Sequence, residues 1–166
     1  GEARRRFNVS LALRRAALGV FACLLFAVPA TAAAEQVRIL ALGDSLTAGY
    51  GLSQSDSFPS QLSRRLRQAG VASEIVNAGV SGDTTSGALQ RLDWLMEEKY
   101  DLAIVELGAN DALRAVDPDL TRQNLERIVE KLKTTGSAIL LAGMKAPRNL
   151  GEDYAKRFDA LFPAIA

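Results

Sequence analysis

The sequence predicts an α/β protein in three layers, α/β/α, with a parallel sheet between two layers of helices. Three observations support this fold class. Short apolar runs alternate along the chain with segments of helical spacing, which is typical of βαβ units. These runs are apolar at nearly every position, as strands buried on both faces are. The length of 166 residues, 48% of them hydrophobic, suits a single globular domain.

Four apolar runs with β-branched residues are predicted to form the strands. They are Val37–Leu42, Glu74–Val76, Leu102–Leu107 and Ala138–Leu141. In a parallel sheet of this kind, ligands bind beyond the carboxyl ends of the strands. The loops that follow the four runs are therefore where we expect a functional site.

Two helices are predicted between the first three strands. The first has apolar residues at intervals of three or four over Phe58–Ala69 and stops at Gly70. The second begins at a capping residue, either Asp83 or Thr84, and has leucines at helical spacing over Leu89–Leu95. Such spacing indicates one apolar face turned toward the sheet.

Two further helices are predicted on either side of the fourth strand. One has its apolar face over Leu125–Leu132 and stops at Gly136. The other, over Asp153–Phe162, has a weaker pattern and is expected to end near Pro163.

The first 34 residues are predicted to be a secretory signal peptide. Five arginines between Arg4 and Arg15 precede the apolar run Ala16–Val28, and small residues with A-x-A spacing follow, so cleavage is expected after Ala34. A transmembrane anchor is the alternative, but the run is shorter than the roughly 20 residues of a span. The mature domain, residues 35–166, is then expected to be periplasmic or secreted, with no integral membrane span.

Composition excludes several classes of function for the mature domain. Without the five arginines and Glu2 of the signal, 15 basic and 18 acidic residues remain, which leaves a net charge of −3. Nucleic acid is therefore the least supported partner. The only cysteine, Cys23, lies in the signal, and histidine is absent. A disulfide, a thiolate nucleophile and a zinc site are therefore not expected.

Three loops after predicted strands carry groups suited to nucleophilic catalysis. Gly43 permits a sharp turn that presents the Ser45 hydroxyl next to unpaired N–H groups of a helix start. Gly82 offers a backbone N–H, and Asn110 a neutral amide donor, for a developing oxyanion. Each has an ordinary alternative: a serine cap, a flexible turn and an Asx turn. Three such loops in order, each after its own strand, form a specific combination.

The chain resembles the GDSL family of the SGNH-hydrolase superfamily, closest to the bacterial secreted lysophospholipase/acyl-CoA thioesterase I/arylesterase group. The matching segments are Gly43–Tyr50, Asn77–Thr84 and Val105–Asp111, and the resemblance extends from about Val37 to the last residue. It implies the SGNH-hydrolase fold, with a flavodoxin-like parallel sheet of five strands, of which four are predicted here. It implies no metal or organic cofactor.

The resemblance also implies a role for each site residue. Ser45 is the expected nucleophile, and the oxyanion hole is expected to consist of the N–H groups of Ser45 and Gly82 and the Asn110 side chain. Gly79 is the weaker candidate for the glycine, because Gly82 stands in the Ser-Gly-Asp-Thr context of the family. The expected substrate-pocket residues are Asp44, Leu46, Met144 and Pro147.

One departure from the family pattern concerns the general base. The family has an Asp-x-x-His element near its C-terminus, whereas this sequence contains no histidine. The domain is expected to lack the C-terminal strand and helix of the family, and the 166-residue chain is expected to be impaired, because a serine hydroxyl needs an adjacent base. Asp44 and Asp111 are not expected to substitute: the first should diverge from Ser45, and the second should bind its own loop.

The function predicted from the sequence is a serine esterase that hydrolyses carboxylic esters or thioesters through an acyl-enzyme. The expected partner is a small ester or thioester, with lipids among the candidates. Two alternatives remain open, a carbohydrate acetylesterase and a non-catalytic binding domain on the same scaffold. The missing histidine favours the binding domain if Ala166 is the natural end, and the three-loop combination favours an enzyme.

Overall fold

The computed structural model of the chain describes residues 36–166; the predicted signal peptide and Cys23 lie outside these residues. Four parallel strands form one sheet in the order β2-β1-β3-β4. The strands are β1 (Val37–Gly43), β2 (Ser73–Gly79), β3 (Leu102–Glu106) and β4 (Ala138–Leu141). The parallel sheet with helices between its strands confirms the predicted α/β fold class.

Helices connect the strands and follow the last one. They are α1 (Ser45–Ala48), α2 (Phe58–Gln68), α3 (Thr85–Leu95), α4 (Ala109–Leu113), α5 (Pro118–Thr134) and α6 (Glu152–Ile165), with 3-10 turns at Gln54–Asp56 and Arg148–Leu150. None of the helices within residues 36–166 has both the length and the hydrophobicity that crossing a membrane requires.

The main hydrophobic core lies between one face of the sheet and the helices α3, α5 and α6. Alternate residues of β1 and β3 point to this face, because successive side chains of a strand point to opposite sides. Each fully buried leucine or phenylalanine here stabilises the fold by roughly 2 kcal/mol. The large residues with little or no exposure in this core are Leu40, Leu42, Leu92, Val105, Leu107, Leu125, Ile128, Leu132 and Phe158.

The opposite face of the sheet is covered by α1 and α2, which pack over β1 and β2. Ile39 and Ala41 of β1 are buried beneath them. On the same face, Ala138 and Leu140 of β4 are exposed. The helices therefore lie on both faces of the sheet, as predicted, but their cover over β4 is incomplete on this side.

Strand β2 is longer than its apolar run predicts. The apolar pattern predicts that Asn77–Gly79 belong to the following loop, but these residues pair in parallel register with Ala41–Gly43 of β1. Backbone pairing does not require an apolar side chain, and the exposed Asn77 lies on a strand at the edge of the sheet. The loop that carries Gly82 is correspondingly shorter and begins directly at the end of the sheet.

Helix α6 extends past the proline that was expected to end it. Pro163 lacks an N–H group, so Asp159 has no donor for its carbonyl within the helix. The Ala166 N–H nevertheless donates to the Phe162 carbonyl at 3.2 Å, and the helix continues to Ile165. A proline near the end of a helix removes one hydrogen bond without separating the last turn from the rest.

The other helix boundaries follow from capping. Thr84, one of the two predicted caps, is the N-cap of α3, and its hydroxyl accepts from the Gly87 N–H at 3.2 Å. Helix α5 begins ahead of its apolar face because Asp117 caps it and Pro118 occupies the first turn. Gly136, which follows α5, has a φ of 85°, as expected for a glycine after a helix end.

Strand order brings the three candidate loops together. Strand β1 is flanked by β2 on one side and β3 on the other, so the connection from β1 to β2 and the connection from β3 to β4 run toward opposite edges of the sheet. In doubly wound sheets this topological switch point is where a crevice for ligands opens. Ser45, Gly82 and Asn110 each lie in a segment that follows one of these three strands.

Candidate active site

The turn from β1 into α1 presents Ser45. Asp44 is the N-cap of α1, and its Oδ1 accepts from the Leu46 N–H at 2.9 Å. Ser45 is the first residue of the helix and is half-buried. Among residues 36–166, neither its hydroxyl nor its backbone N–H has a hydrogen-bond partner. Both groups are therefore free to interact with a ligand.

Gly43 permits the close packing of this turn against the sheet. A Cβ atom at this position would overlap the Thr47 hydroxyl and lie 2.8 Å from Glu106 Oε2. Only glycine fits there without displacing α1, so the turn depends on the glycine for space.

The loop after β2 presents the amide of Gly82. This residue has a φ of 82°, a left-handed conformation that glycine adopts without strain. Its N–H has no partner within the described part of the chain, and its carbonyl accepts from Arg114 Nη2 at 2.8 Å. The N–H of Gly79, in contrast, donates to Asn77 Oδ1 at 3.0 Å. This difference supports Gly82, rather than Gly79, as the free donor.

Asn110 lies in α4, directly after β3, and contacts the turn that carries Ser45. Its Nδ2 donates to Asp44 Oδ2 at 3.1 Å. Because a primary amide has two N–H bonds, one donor remains available. Asp44, predicted as a pocket residue, is only 1% exposed, and its two oxygens bind Leu46 and Asn110. The carboxylate is thus engaged with Leu46 and Asn110 and orients the amide.

Hydrogen bonds also connect the first two loops. The Val80 N–H donates to the Gly43 carbonyl at 3.0 Å. Arg91 of α3 donates through Nη2 to the carbonyls of Gly43 and Ala78, at 3.3 and 2.8 Å, and through Nε to Asp83 at 2.9 Å. One guanidinium group therefore binds the ends of β1 and β2 and the loop of Gly82. Arg91 belongs to none of the motifs that predict the site from the sequence.

Asp111 connects the second and third loops. The expectation that it binds its own loop is wrong: its carboxylate accepts from the backbone N–H of Thr85, at 2.9 Å, and from the Thr85 hydroxyl. Asn124 of α5 donates to the same hydroxyl at 3.2 Å. All three side chains are buried. Asp111 therefore fixes the start of α3, next to the loop that holds Gly82.

Glu106, at the end of β3, is a further residue that sequence reasoning missed. Its Oε2 accepts from Thr47 Oγ1 at 2.8 Å, while its buried Oε1 has no partner in the described residues. Burial raises the pKa of Glu106 to about 6, the Thr47 hydroxyl opposes this shift, and the charge of Asp44 adds to it. A charged residue that ends an otherwise apolar strand was the available signal.

The remaining predicted pocket residues lie at the same end of the sheet. Leu46 is 65% exposed and lines an apolar groove of about 380 Å³. Met144 and Pro147 lie in the loop after β4, where Met144 packs against the core. The Ala146 N–H, donating to Asp159 Oδ1 at 2.8 Å, attaches this loop to α6. The pocket roles of Leu46, Met144 and Pro147 stay predictions.

Comparison with known proteins identifies the family. A model of the GDSL-like lipase/acylhydrolase family matches residues 41–166. The chain belongs to this family. It is similar to the esterase TesA of Pseudomonas aeruginosa, with 38% identity over 90% of this chain and 75% of that protein. It is also similar to the thioesterase 1/protease 1/lysophospholipase L1 of Escherichia coli K12, with 38% identity over 81% of this chain and 64% of that protein.

A similar solved structure extends the comparison to the fold. AlinE4, an SGNH-hydrolase family esterase, superimposes with a TM-score of 0.77 at 50% identity, covering 80% of this chain and 71% of its own. The four-stranded parallel sheet and its helices are thus those of the SGNH-hydrolase fold, as the resemblance implied. Membership places the chain among ester-hydrolysing enzymes.

Proposed function

We propose that the protein is a serine esterase that cleaves carboxylic esters or thioesters through an acyl-enzyme at Ser45. The observation that supports this proposal is that one unengaged hydroxyl and three unengaged donors lie in segments that follow three adjacent strands. The Ser45 and Gly82 N–H groups have no partner in residues 36–166, and Asn110 retains one N–H. The three segments that bear them are hydrogen-bonded to one another.

In the proposed reaction, the Ser45 oxygen attacks the acyl carbonyl carbon, and the carbonyl oxygen becomes an oxyanion. The N–H groups of Ser45 and Gly82 and the Asn110 amide donate to this oxygen, which stabilises the tetrahedral intermediate. The intermediate collapses to an acyl-serine and releases the alcohol or thiol, and water then hydrolyses the acyl-serine. Asp44 contributes by holding the Asn110 amide in place before the substrate binds.

The proton of Ser45 requires a base that is not evident in the described residues. The carboxylates of Asp44 and Asp111 are engaged with Leu46, Asn110 and Thr85. The 166 residues contain no histidine. We therefore expect residues 35–166 by themselves to hydrolyse esters only slowly, with binding and oxyanion stabilisation as the remaining contributions.

The nucleophile is tested by Ser45→Ala in the protein expressed from its complete gene. We expect turnover of a chromogenic short-chain ester to fall by about 10⁴-fold or more, because no other group can form the acyl-enzyme. Ser63→Ala, which changes a serine of α2 outside the three loops, is the matched control and should retain activity. Undiminished turnover by Ser45→Ala would refute the proposal.

The substrate class is the finer part of the proposal. The apolar groove beside Leu46 supports an acyl or aryl ester over a carbohydrate acetate, since its lining offers almost no polar group to a sugar. We expect kcat/KM to be higher for a medium-chain acyl ester than for acetylated xylan. The reverse preference would favour the carbohydrate acetylesterase, and binding of both without turnover would favour the non-catalytic domain.

The cellular location is proposed from the sequence alone. We propose that residues 1–34 are a signal peptide and that the enzyme acts in the periplasm or outside the cell. Expression from the complete gene in a bacterial host should then give an exported protein whose N-terminal sequence begins at Glu35. An exported or cell-bound product that retains Ala16–Val28 would instead indicate an anchor.

A further inference from the structure

Glu106 lies directly beneath the turn that carries Ser45. It pairs with Gly43 across the β1–β3 ladder, so its side chain points to the face that α1 covers. Its Oε2 accepts from the Thr47 hydroxyl at 2.8 Å. A hydroxyl of the same helical turn as Ser45 is thus bound to this carboxyl group.

We infer that Glu106 is a positioning residue of the esterase site, which acts through Thr47 to hold the Ser45 turn in its reactive conformation. This inference rests on the proposed function of Ser45. Glu106 makes no hydrogen bond to Ser45 within residues 36–166. Its contribution is to bind the Thr47 hydroxyl and so to fix the helical turn that Ser45 begins.

Packing restricts what could replace this pair. Thr47 is 1% exposed, and its hydroxyl fills the space that a side chain on Gly43 would need. Gly43, Thr47 and Glu106 therefore pack together at one point. Gly43 leaves space, Thr47 fills it, and the Glu106 carboxyl group accepts a hydrogen bond from the Thr47 hydroxyl. We expect the loss of the hydroxyl, of the carboxyl group or of the space at Gly43 to move the helical turn in which Ser45 is the first residue.

Stability alone does not account for a carboxyl group at this position. One of its oxygens is buried without a partner in residues 36–166, and burial raises its pKa, so it costs free energy there. The charged group facing it, Asp44, repels its ionised form. Because a carboxyl group with an unpartnered oxygen costs stability here, a role in the site is the better explanation.

The test is a double-mutant cycle on the protein expressed from its complete gene. The variants are Thr47→Val, which removes the hydroxyl at nearly constant shape, Glu106→Gln, and the two combined. We expect each single variant to lower kcat by about 10- to 100-fold with KM changed by less than about threefold, because misplacing a nucleophile affects the transition state more than substrate binding. The double variant should lose little more than either single one.

Two controls separate positioning from folding. Thr47→Ser restores a hydroxyl and should keep kcat within about threefold of the unchanged enzyme, whereas Thr47→Val should not. Glu97→Gln neutralises an exposed glutamate remote from the turn and should leave kcat unchanged. All rates are expressed per folded molecule, measured by near-ultraviolet circular dichroism.

The inference is supported if kcat is low in Thr47→Val and in Glu106→Gln, if the two losses are not additive, and if Thr47→Ser keeps a kcat near that of the unchanged enzyme. Unchanged kcat in folded single variants, or fully additive losses, overturns it. If Ser45→Ala remains active, the proposed nucleophile is wrong. If Ser45→Ala is inactive but kcat is unchanged in the Thr47 and Glu106 variants, only the positioning role is wrong.

Discussion

At the scale of single residues, Asp44 joins two parts of the candidate site. One oxygen caps α1 at the Leu46 N–H, and the other accepts from the Asn110 amide. The carboxylate therefore fixes the helix start that presents Ser45 and the orientation of a proposed oxyanion donor. A buried acceptor of this kind holds a donor in place before any substrate arrives, and such preorganisation is the main source of electrostatic catalysis.

Replacing the amide tests this arrangement. We expect Asn110→Ala to lower kcat by about 10²- to 10³-fold with little change in KM, because the lost hydrogen bond forms chiefly to the oxyanion. Steady-state kinetics on a soluble ester provide the measurement. Asn149→Ala, at an exposed position of the second 3-10 turn, is the control. A rise in KM at constant kcat would place Asn110 in substrate binding instead.

Glu106 also makes stability depend on pH. Its pKa rises from 4.5 to about 6 on folding, so the folded state binds the proton more tightly than the unfolded state. Its contribution to the free energy of unfolding is therefore greatest below pH 4.5 and is lost as pH rises through 6. Because the side chain is only partly enclosed, solvent screening limits the change to about 1 kcal/mol.

Glu106→Gln removes this titration. The free energy of unfolding of this variant, measured relative to the unchanged protein, should increase by up to about 1 kcal/mol from pH 4.5 to pH 7.5. Urea unfolding of both proteins at the two pH values measures the difference. Glu74→Gln, in which an exposed ion pair with Arg38 is lost, should show no comparable change. A constant difference across the range would contradict the raised pKa.

At the scale of secondary structure elements, Arg91 connects α3 to two strand ends. Its guanidinium group binds the carbonyls of Gly43 and Ala78 and the carboxylate of Asp83, whose side chain is 9% exposed. The Gly43 carbonyl, which also accepts from the Val80 N–H, and the Ala78 carbonyl are thereby attached to α3. Helix α3 consequently sets the position of the Gly82 loop relative to the Ser45 turn.

Arg91→Met should therefore lower both stability and activity. Removing the guanidinium leaves the Asp83 carboxylate largely buried without a partner, which costs about 2 kcal/mol. Arg122→Met, which breaks an exposed pair with Glu126 one helical turn away, should cost about 0.5 kcal/mol and leave kcat intact. Thermal unfolding and ester hydrolysis distinguish the two variants, and equal losses in both would argue against a special role for Arg91.

The sequence predicted elements wherever burial alone determines the pattern. Strand β4 has the predicted bounds, Ala138–Leu141, and α3 begins after one of the two predicted caps. Strand β2 was predicted too short because Asn77–Gly79 are held by backbone pairing with β1, which leaves no apolar pattern in the sequence. Helix α6 continues past Pro163 to Ile165, because a helix loses little stability when its last turn lacks one N–H donor.

The candidate site was predictable only in part for a similar reason. Ser45, Gly82 and Asn110 stand in recognisable local motifs after strands. Arg91 stands in ordinary helical sequence, and the only signal for Glu106 is a charge at the end of an apolar strand. The importance of both arises from what the tertiary fold places beside them. Local sequence patterns do not show which residues the tertiary fold places next to one another.

At the scale of the whole described domain, the two faces of the sheet differ in their cover. Three helices bury one face, whereas α1 and α2 cover the other mainly over β1 and β2. The result is an apolar groove bordered by exposed side chains. Of these, Leu46 is 65% exposed, Phe58 41% and Leu140 49%. Apolar patches beside an edge strand favour association between molecules.

We therefore expect residues 35–166 to associate through this groove as concentration rises. Leu140→Asn should weaken the association about fivefold, because roughly 1 kcal/mol of apolar burial is lost when the exposed half of one leucine is replaced. Leu120→Asn alters a leucine of α5 that is similarly exposed, at 47%, but lies outside the groove, and should leave association unchanged. Sedimentation velocity over a hundredfold concentration range measures both variants. If they behave alike, association does not depend on this groove, and the incomplete cover of β4 has no consequence in solution.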